Sequence, residues 1–426
     1  MNRRIENLFV SLGEVLTHDY ASPFDPLIKW VRNPAAILAL AVVASALCGM
    51  FLHPRAFLLA AGLAAVLVVG TVWPWIAVRG LSGTLTFSRA RVREGETVTT
   101  RVALRNRMPW GAWGVTIREA FPDGDRGLKA SLAQAAGWRT TEACWEWEPA
   151  CRGEYPRSIL RITSAFPFGL WEASRQLAVS APLLVWPRTF SVGPIPEAAN
   201  GESGDGLAPR NKPGTSGDLL GVRPYRRGDA IRRIHWPQTA RHGELVVCEL
   251  QAIAVPRVQV VLDIGTDEGA GSDPDGLREW SIRVAASFAE DWIGQGAEVE
   301  LLCGGEAVSA RAGTVRTRQA RILDALARLQ PDGQPSLQDV LDGPACRRFE
   351  RGLRVVVAPD RALRDLERHN RTGASERFVV LKAAAFGEEG PPEVGPLPVR
   401  PWIWVDDARR VPHLIHSGWK EVALGH

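Results

Sequence analysis

Two uncharged apolar runs, Ala35 to Leu52 and Ala56 to Val78, lie close together near the start of the chain. Only His53-Pro54-Arg55 separates them. As helices at 1.5 Å per residue they would be roughly 27 and 34 Å long, against a hydrocarbon core of about 30 Å. A soluble helix keeps a polar face, and neither run has one. A cleaved signal peptide fits poorly, because a second apolar span follows at once. The pair predicts a transmembrane helical hairpin over 35–78. It follows a segment, 1–34, whose first 28 residues carry mixed charges and read as a short surface helix.

Flanking charge sets the expected orientation. Lys29 and Arg32 precede the first run, and Arg79, Arg89, Arg91 and Arg93 follow the second, whereas the hairpin turn carries only Arg55. Positive charge is retained on the cytoplasmic side, so both termini are expected there, with two spans in the inner (cytoplasmic) membrane. Trp30, Trp73 and Trp75 fall where interfacial aromatics belong. The six cysteines (Cys48, Cys144, Cys151, Cys248, Cys303 and Cys346) form no CxxC pair and read as reduced thiols, in keeping with a cytoplasmic body. Lys+Arg of 51 against Asp+Glu of 47 leaves a net charge of +4. With membrane attachment, so small an excess argues against a nucleic-acid binder.

Beyond the hairpin the periodicity changes. Leu85 and Phe87 alternate with Thr84 and Thr86, the pattern repeats over Val98–Leu104, and Val115 and Ile117 follow. Turn signals at Glu94-Gly95-Glu96, Pro122-Asp123-Gly124, Arg152-Gly153-Glu154 and Pro167-Phe168-Gly169 punctuate the runs. Short alternating strands with polar turns predict an antiparallel β-sandwich-like domain over 79–192. Trp138, Trp145, Trp147, Trp171 and Trp186 are expected to fill its core. Residues 193–217 hold ten Gly or Pro in twenty-five positions and almost no large apolar residue, which reads as a linker.

The densest stretch occupies 218–256. Six arginines (Arg223, Arg226, Arg227, Arg232, Arg233 and Arg241) lie between Gly217 and Gly243, with Tyr225, His235 and Trp236 among them and Asp218 and Asp229 as the acids. Such a set could bind phosphate or an acidic partner. Chemistry alone favours an internal network in which Asp229 fixes an Arg and Trp236 packs beneath. The chain has no G-x-x-x-x-G-K-[ST] phosphate loop and no nucleophile–base constellation at recognisable spacing, which argues against an enzyme.

The run Arg223-x-Tyr225-x-x-Gly228-Asp229, then Arg232-Arg233-Ile234-His235-Trp236, then Thr239-Ala240-Arg241 and Glu244-Leu245, closely resembles the hallmark of the domain of unknown function 58 family. The order of a membrane hairpin, a β-rich region with a Pro167-Phe168-Gly169-Leu170 step and an α/β tail also resembles that family. Members resemble von Willebrand factor A domains in their C-terminal part and are typically encoded beside MoxR-type AAA+ ATPases. The resemblance implies a membrane-anchored cytoplasmic adaptor that works with such an ATPase in assembling or maturing client protein complexes. Its binding residues would be Arg223, Tyr225, Arg226, Arg227, Gly228, Asp229, Arg232, Arg233, His235, Trp236 and Arg241. A metal- or phosphate-dependent enzyme centred on the same motif is the alternative.

The tail, 257–426, reads as α/β on its own pattern. Strands are expected at Val258–Leu262, Val299–Cys303, Leu353–Ala358 and Phe378–Leu381, and helices at Leu277–Trp292 and Ala320–Leu329. Their alternation implies a mostly parallel sheet with ligands at the strands' carboxyl ends. A von Willebrand factor A domain ends its first strand in Asp-x-Ser-x-Ser, which supplies a carboxylate and hydroxyls to Mg²⁺. Here the order is Asp263-Ile264-Gly265-Thr266-Asp267, with Gly in the first Ser position. No cofactor is expected. Mg²⁺ on Asp263, Thr266, Asp267 and a distal Asp360 is the alternative to a plain strand-end cap. His413 and His416 lack a third ligand. The fold class expected is α+β multidomain: a transmembrane hairpin, a β-sandwich-like domain and a von Willebrand factor A-like α/β domain.

Overall fold

A computed structural model describes residues 34–118, 130–196, 199, 213–251, 255–265, 273–330, 335–364, 366, 375–387 and 398–423. The chain is mixed α/β, with two apolar helices near its start and several sheets. The expected surface helix, Lys29, Trp30 and Arg32, most of the linker, and Thr266 and Asp267 lie outside the described residues. Two compact units divide the chain. The first runs to Ala90 and takes in Val98–Trp147 and Tyr155–Pro182; the second holds Arg91–Thr97, Glu148–Glu154 and everything from Leu183.

In the first unit, α1 (Pro34–Phe51) and α2 (Ala56–Arg79) form a hairpin, and both are long and apolar enough to cross a membrane. Their side chains stay largely exposed, with Leu58 78% and Phe51 74% accessible. The bare Cα of Gly49 lies against the Phe57 ring, where a Cβ would stand 3.0 Å from ring carbons. Pro74 inside α2 removes one amide from the helical ladder, a defect that membrane helices tolerate.

Eleven short strands follow: β1 (Leu81–Phe87), β2 (Arg91–Arg93), β3 (Val98–Asn106), β4 (Ala112–Arg118), β5 (Ala130–Ala135), β6 (Thr140–Trp147), β7 (Gly153–Tyr155), β8 (Arg161–Ser164), β9 (Ala173–Gln176), β10 (Ala178–Val179) and β11 (Leu183–Trp186). The first unit holds two four-stranded sheets, β10-β1-β3-β6 and β5-β4-β8-β9, antiparallel except for the β1–β10 pair. Along β3, Val98, Thr100, Val102, Leu104 and Asn106 are buried at every second position, the alternation of a one-sided strand. The two polar members are satisfied. Thr100 accepts the Trp147 indole N–H at 3.0 Å, and Asn106 donates to the Trp110 and Ala135 carbonyls. Trp147 is in the core, but Trp138 and Trp171 are 73% and 55% exposed, against expectation.

In the second unit, β12 (Pro213–Pro224) pairs antiparallel with β13 (Val246–Gln251), and α3 (Trp236–His242) lies between them in sequence. β12 begins at Pro213, inside the stretch read as linker. Its ladder breaks register at Gly214/Leu219 and Leu219/Gly221, so a Gly-rich composition hid a bulged strand. Then come β14 (Arg257–Leu262), α4 (Leu277–Gly294), β15 (Glu298–Cys303), β16 (Glu306–Ser309), α5 (Val315–Arg328), α6 (Leu337–Leu341), α7 (Pro344–Arg348), β17 (Leu353–Pro359), α8 (Asp360–Arg364), β18 (Ser375–Leu381), β19 (Ile403–Val405) and α9 (Val411–Ala423). The sheet order is β16-β15-β14-β17-β18-β19, parallel except for the edge strand β16.

Side chains alternate across this sheet. Val258, Val260, Val355 and Val357 meet Phe288 and Trp292 of α4 and Leu323 of α5, while Val261, Val356 and Phe378 meet Leu337 and Leu341 of α6. A polar row crosses one face in register: Glu300, Gln259, Arg354 and Glu376. Gln259 bridges the Glu300 carboxylate (2.9 Å) and the Arg354 Nε–H (2.8 Å), and Arg354 also pairs with Glu376.

The two compact units interleave in sequence, with Arg91–Thr97 and Glu148–Glu154 joining the residues from Leu183 onward. β2, β7 and β11 make a three-stranded sheet that belongs with the α/β unit, held to α4 and α5 by ion pairs. Arg91 meets Asp324 at 2.7 Å, Arg93 meets Glu290, Arg152 meets Glu279 at 3.0 Å, and Glu94 meets Arg283 at 2.7 Å. The turns Glu94-Gly95-Glu96 and Arg152-Gly153-Glu154 read as solvent signals in sequence, yet Glu94 and Arg152 are both buried.

Candidate functional site

The Arg-rich motif folds as one local unit on the β12–β13 ribbon. The turn after β12 closes by an Asp229 N–H to Arg226 carbonyl bond of 3.0 Å. Gly228 at its corner has φ +110°, a conformation side chains avoid. The Asp229 carboxylate then serves two neighbours. It accepts the Arg226 amide at 2.8 Å and grips the Arg223 guanidinium in a two-pronged pair of 2.7 and 2.8 Å. Glu249, across on β13, reaches Arg223 Nε at 3.4 Å. The Arg223 guanidinium, helped by the Arg226 amide, lowers the Asp229 carboxyl to about 2.

A turn of 3-10 helix at Ile231–Arg233 leads to His235. Its main-chain N–H bonds the Val246 carbonyl at 2.8 Å, tying the segment back to β13. Its ring Nδ1 accepts the Gln238 amide at 3.2 Å and so caps α3. Pro237 sits in the first turn and Gly243, at φ +72°, ends the helix. Thr239 Oγ1 accepts the Val246 amide at 3.1 Å, and the Tyr225 amide bonds the Leu245 carbonyl at 2.8 Å.

This frame sorts the motif residues into two groups. Arg223, Gly228, Asp229, His235 and Thr239 hold the shape. Arg226, Arg227, Arg232 and Arg241 are exposed and enter no ion pair among the described residues, while Trp236 is 62% and Ile231 70% exposed. Tyr225 and Arg233 are half-buried. The expected fixing of an Arg by Asp229 is present. The expected packing of Trp236 beneath it is not, because among the described residues no further layer covers the indole of this seven-residue helix.

The second candidate lies at the carboxyl ends of the neighbouring central strands β14 and β17, where successive strands turn to opposite sides of the sheet. Asp263 and Asp360 stand there and are 8% and 3% exposed. Asp263 accepts the Gly265 amide at 2.9 Å; Asp360 accepts the amides of Arg361 and Ala383 at 3.0 and 3.1 Å. Gly265 has φ +72°, and a Cβ built on it would lie 3.1 Å from Arg361 Nη2. A guanidinium therefore already lies beside the position where a Mg²⁺ site would need a hydroxyl. Both carboxylates cap the backbone that follows their strands. His413 and His416 lie on α9, with His413 exposed and His416 half-buried.

Sequence reasoning found every residue of the motif but missed Glu94, Arg152 and Arg283. Their signal is faint: an acid in one turn-like sequence pairs with Arg283, 189 residues on, and a base in another pairs with Glu279, 127 residues on.

Similarities to known proteins are uneven. No curated protein matches the chain. Solved structures with partial likeness include an alkylpurine DNA glycosylase from Pseudomonas fluorescens (10% identity, 28% of this chain and 38% of that one, TM-score 0.16). Others are a CARDB domain from Pyrococcus furiosus (13%, 23% and 94%, 0.15) and an exo-β-N-acetylglucosaminidase from Vibrio harveyi (12%, 45% and 32%, 0.18). The chain thus spans well under half of the glycosylase, and TM-scores this low carry no argument about fold or chemistry. The family comparison is different in kind, because it falls on the motif and the sheet just described. Residues 221–401 match the model described as "Protein of unknown function DUF58", so the similarity to that family spans the Arg-rich motif and most of the α/β sheet.

Proposed function

We propose that the chain is a membrane-anchored cytoplasmic interaction protein whose Arg-rich motif meets an acidic surface of a MoxR-type AAA+ ATPase, in the assembly or maturation of a client protein complex. The observation that carries this reading is the exposure of Arg226, Arg227, Arg232, Arg241 and Trp236 on a frame fixed by Arg223 and Asp229. Exposed, unpaired arginines beside a bare indole are the composition of an interaction hot spot. The two apolar helices support the anchor, and Lys29, Arg32 and Arg79 around them support cytoplasmic termini. The strand order with a single antiparallel edge supports a von Willebrand factor A-like C-terminal domain. The enzyme alternative centred on Arg223, Asp229, His235 and Asp263 has less support. His235 Nδ1 and the Asp229 carboxylate are already engaged in holding the backbone.

Affinity capture from solubilised membranes tests the reading. Arg226→Ala/Arg227→Ala removes two exposed charges, so the variant should fold normally. Its capture of the ATPase should fail at moderate salt, because that contact is electrostatic. Capture unchanged in the variant would place the partner surface elsewhere. No ATPase with the wild-type chain would refute the partnership itself.

A further inference from the structure

We propose that the cavity at the end of α2 binds the phosphate of an anionic phospholipid headgroup. The cavity, about 350 Å³, lies between the last turn of α2 and β9, within the first unit, and is lined by Trp75, Val78, Arg79, Ala173, Ser174 and Arg175. Arg79 stacks its guanidinium 4.7 Å above the Trp75 ring. Arg175 donates Nη1–H to the Arg79 carbonyl, which satisfies an end of the helix and holds the Arg175 side chain at the cavity that Arg79 also lines. Neither arginine has a carboxylate partner among the described residues, and Ser174 adds a hydroxyl. Two arginines and a hydroxyl lining one cavity, with no carboxylate among its lining residues, offer a phosphate two-pronged bonds and charge compensation.

The neighbourhood points to lipid as the source of the phosphate. The loop between β8 and β9 runs along α2. Gly70 has no side chain there, and a Cβ on it would come within 2.5 Å of Leu170 and 3.2 Å of Phe168. Nine residues separate Gly70 from Arg79, about 13 Å along the axis. The basic cavity therefore sits at the polar end of α2, with Trp75 one turn further in and Phe168 and Leu170 beyond it. Phe168 is 51% exposed, although it flanks an apolar helix. A headgroup, an interfacial indole and a greasy loop in that order match the depth profile of one leaflet.

The proposal rests on the membrane reading, and the test separates the two. Full-length protein is purified in mild detergent and its bound lipid read by native mass spectrometry after exposure to equal phosphatidylglycerol and phosphatidylcholine. The wild-type chain should retain the anionic lipid at least several-fold over the zwitterionic one. Arg79→Gln/Arg175→Gln should lose that preference while staying in carbonate-washed membranes. Should the double variant fail to fold, Ser174→Asp, which places a negative charge at an exposed strand position, should abolish the preference instead. Equal retention of the two lipids by the wild-type chain would overturn the proposal, as would an undiminished preference in the folded variants. Millimolar inorganic phosphate that displaces the lipid and raises the melting temperature equally would reassign the site to free phosphate. Release of the wild-type chain by carbonate would refute the membrane reading separately.

Discussion

Glu94 carries more of the second unit's polar order than any motif residue. Its two carboxylate oxygens accept the amides of Arg152 (2.9 Å) and Arg188 (3.1 Å) and the Arg283 Nε–H (2.7 Å), with side chains of Glu94 and Arg283 only 3% and 7% exposed. Glu94→Ala strands a buried guanidinium whose other partner, Asp275, is mostly in solvent. The loss should be about 3–5 kcal/mol, read as faster amide exchange along α4. Arg283→Leu in the same chain should recover part of it. Asp229 behaves differently because its pair lies at the surface. Its carboxyl, lowered to about 2, favours the folded turn above the unfolded value of about 3.9, and that preference fades as pH falls toward 2. A carboxyl-carbon NMR titration should place its midpoint near 2, and Arg223→Gln should return it toward 4.

At the scale of elements, α4 and α3 differ in what lies behind them. Phe288 and Trp292 of α4 are fully buried against the sheet, their ring centroids 4.9 Å apart. Trp292→Ala should cost about 3–5 kcal/mol in chemical denaturation. Trp236→Ala, on α3, should change stability by less than about 0.5 kcal/mol yet weaken partner capture. Equal destabilisation by the two would refute the surface assignment of Trp236. The same contrast explains what the sequence made legible. Trp280, Val284, Phe288 and Trp292 recur at helical spacing, and Val258–Leu262 is a continuous apolar run, so α4 and β14 could be placed to within a few residues. The edge strand β16 (Glu306–Ser309) and the three-residue β19 are too short for any period to show. β2 and β7 were hidden because the charged residues in and beside them pair with α4 and α5, and a charge in a turn-like sequence is indistinguishable from a solvated one. Within the motif, residue identity was legible, while the exposure of Trp236 depended on the absence of a covering layer, which no local pattern records.

At the scale of the whole molecule the proposed function depends on which side of the membrane the motif faces, and that is decided by very few charges. The turn between α1 and α2 offers Arg55 alone, while Lys29, Arg32 and Arg79 bracket the pair. The bias follows from short loops near the span ends, where retained positive charge is most effective. Thiol chemistry bears on the same question independently. All six cysteines are free, and burial pushes the Cys303 thiol up to about 11 and raises Cys346, which leaves both unreactive. Cys144 is exposed and outside the apolar helices, so it reports the compartment. Reporter fusions after Gly80 and at His426 should both register as cytoplasmic, and Cys144 in intact cells should stay unlabelled by a membrane-impermeant maleimide until the membrane is opened. Alkaline phosphatase activity at the C-terminal junction, together with labelling of Cys144 in intact cells, would put the Arg-rich face on the other side, out of reach of any cytoplasmic ATPase.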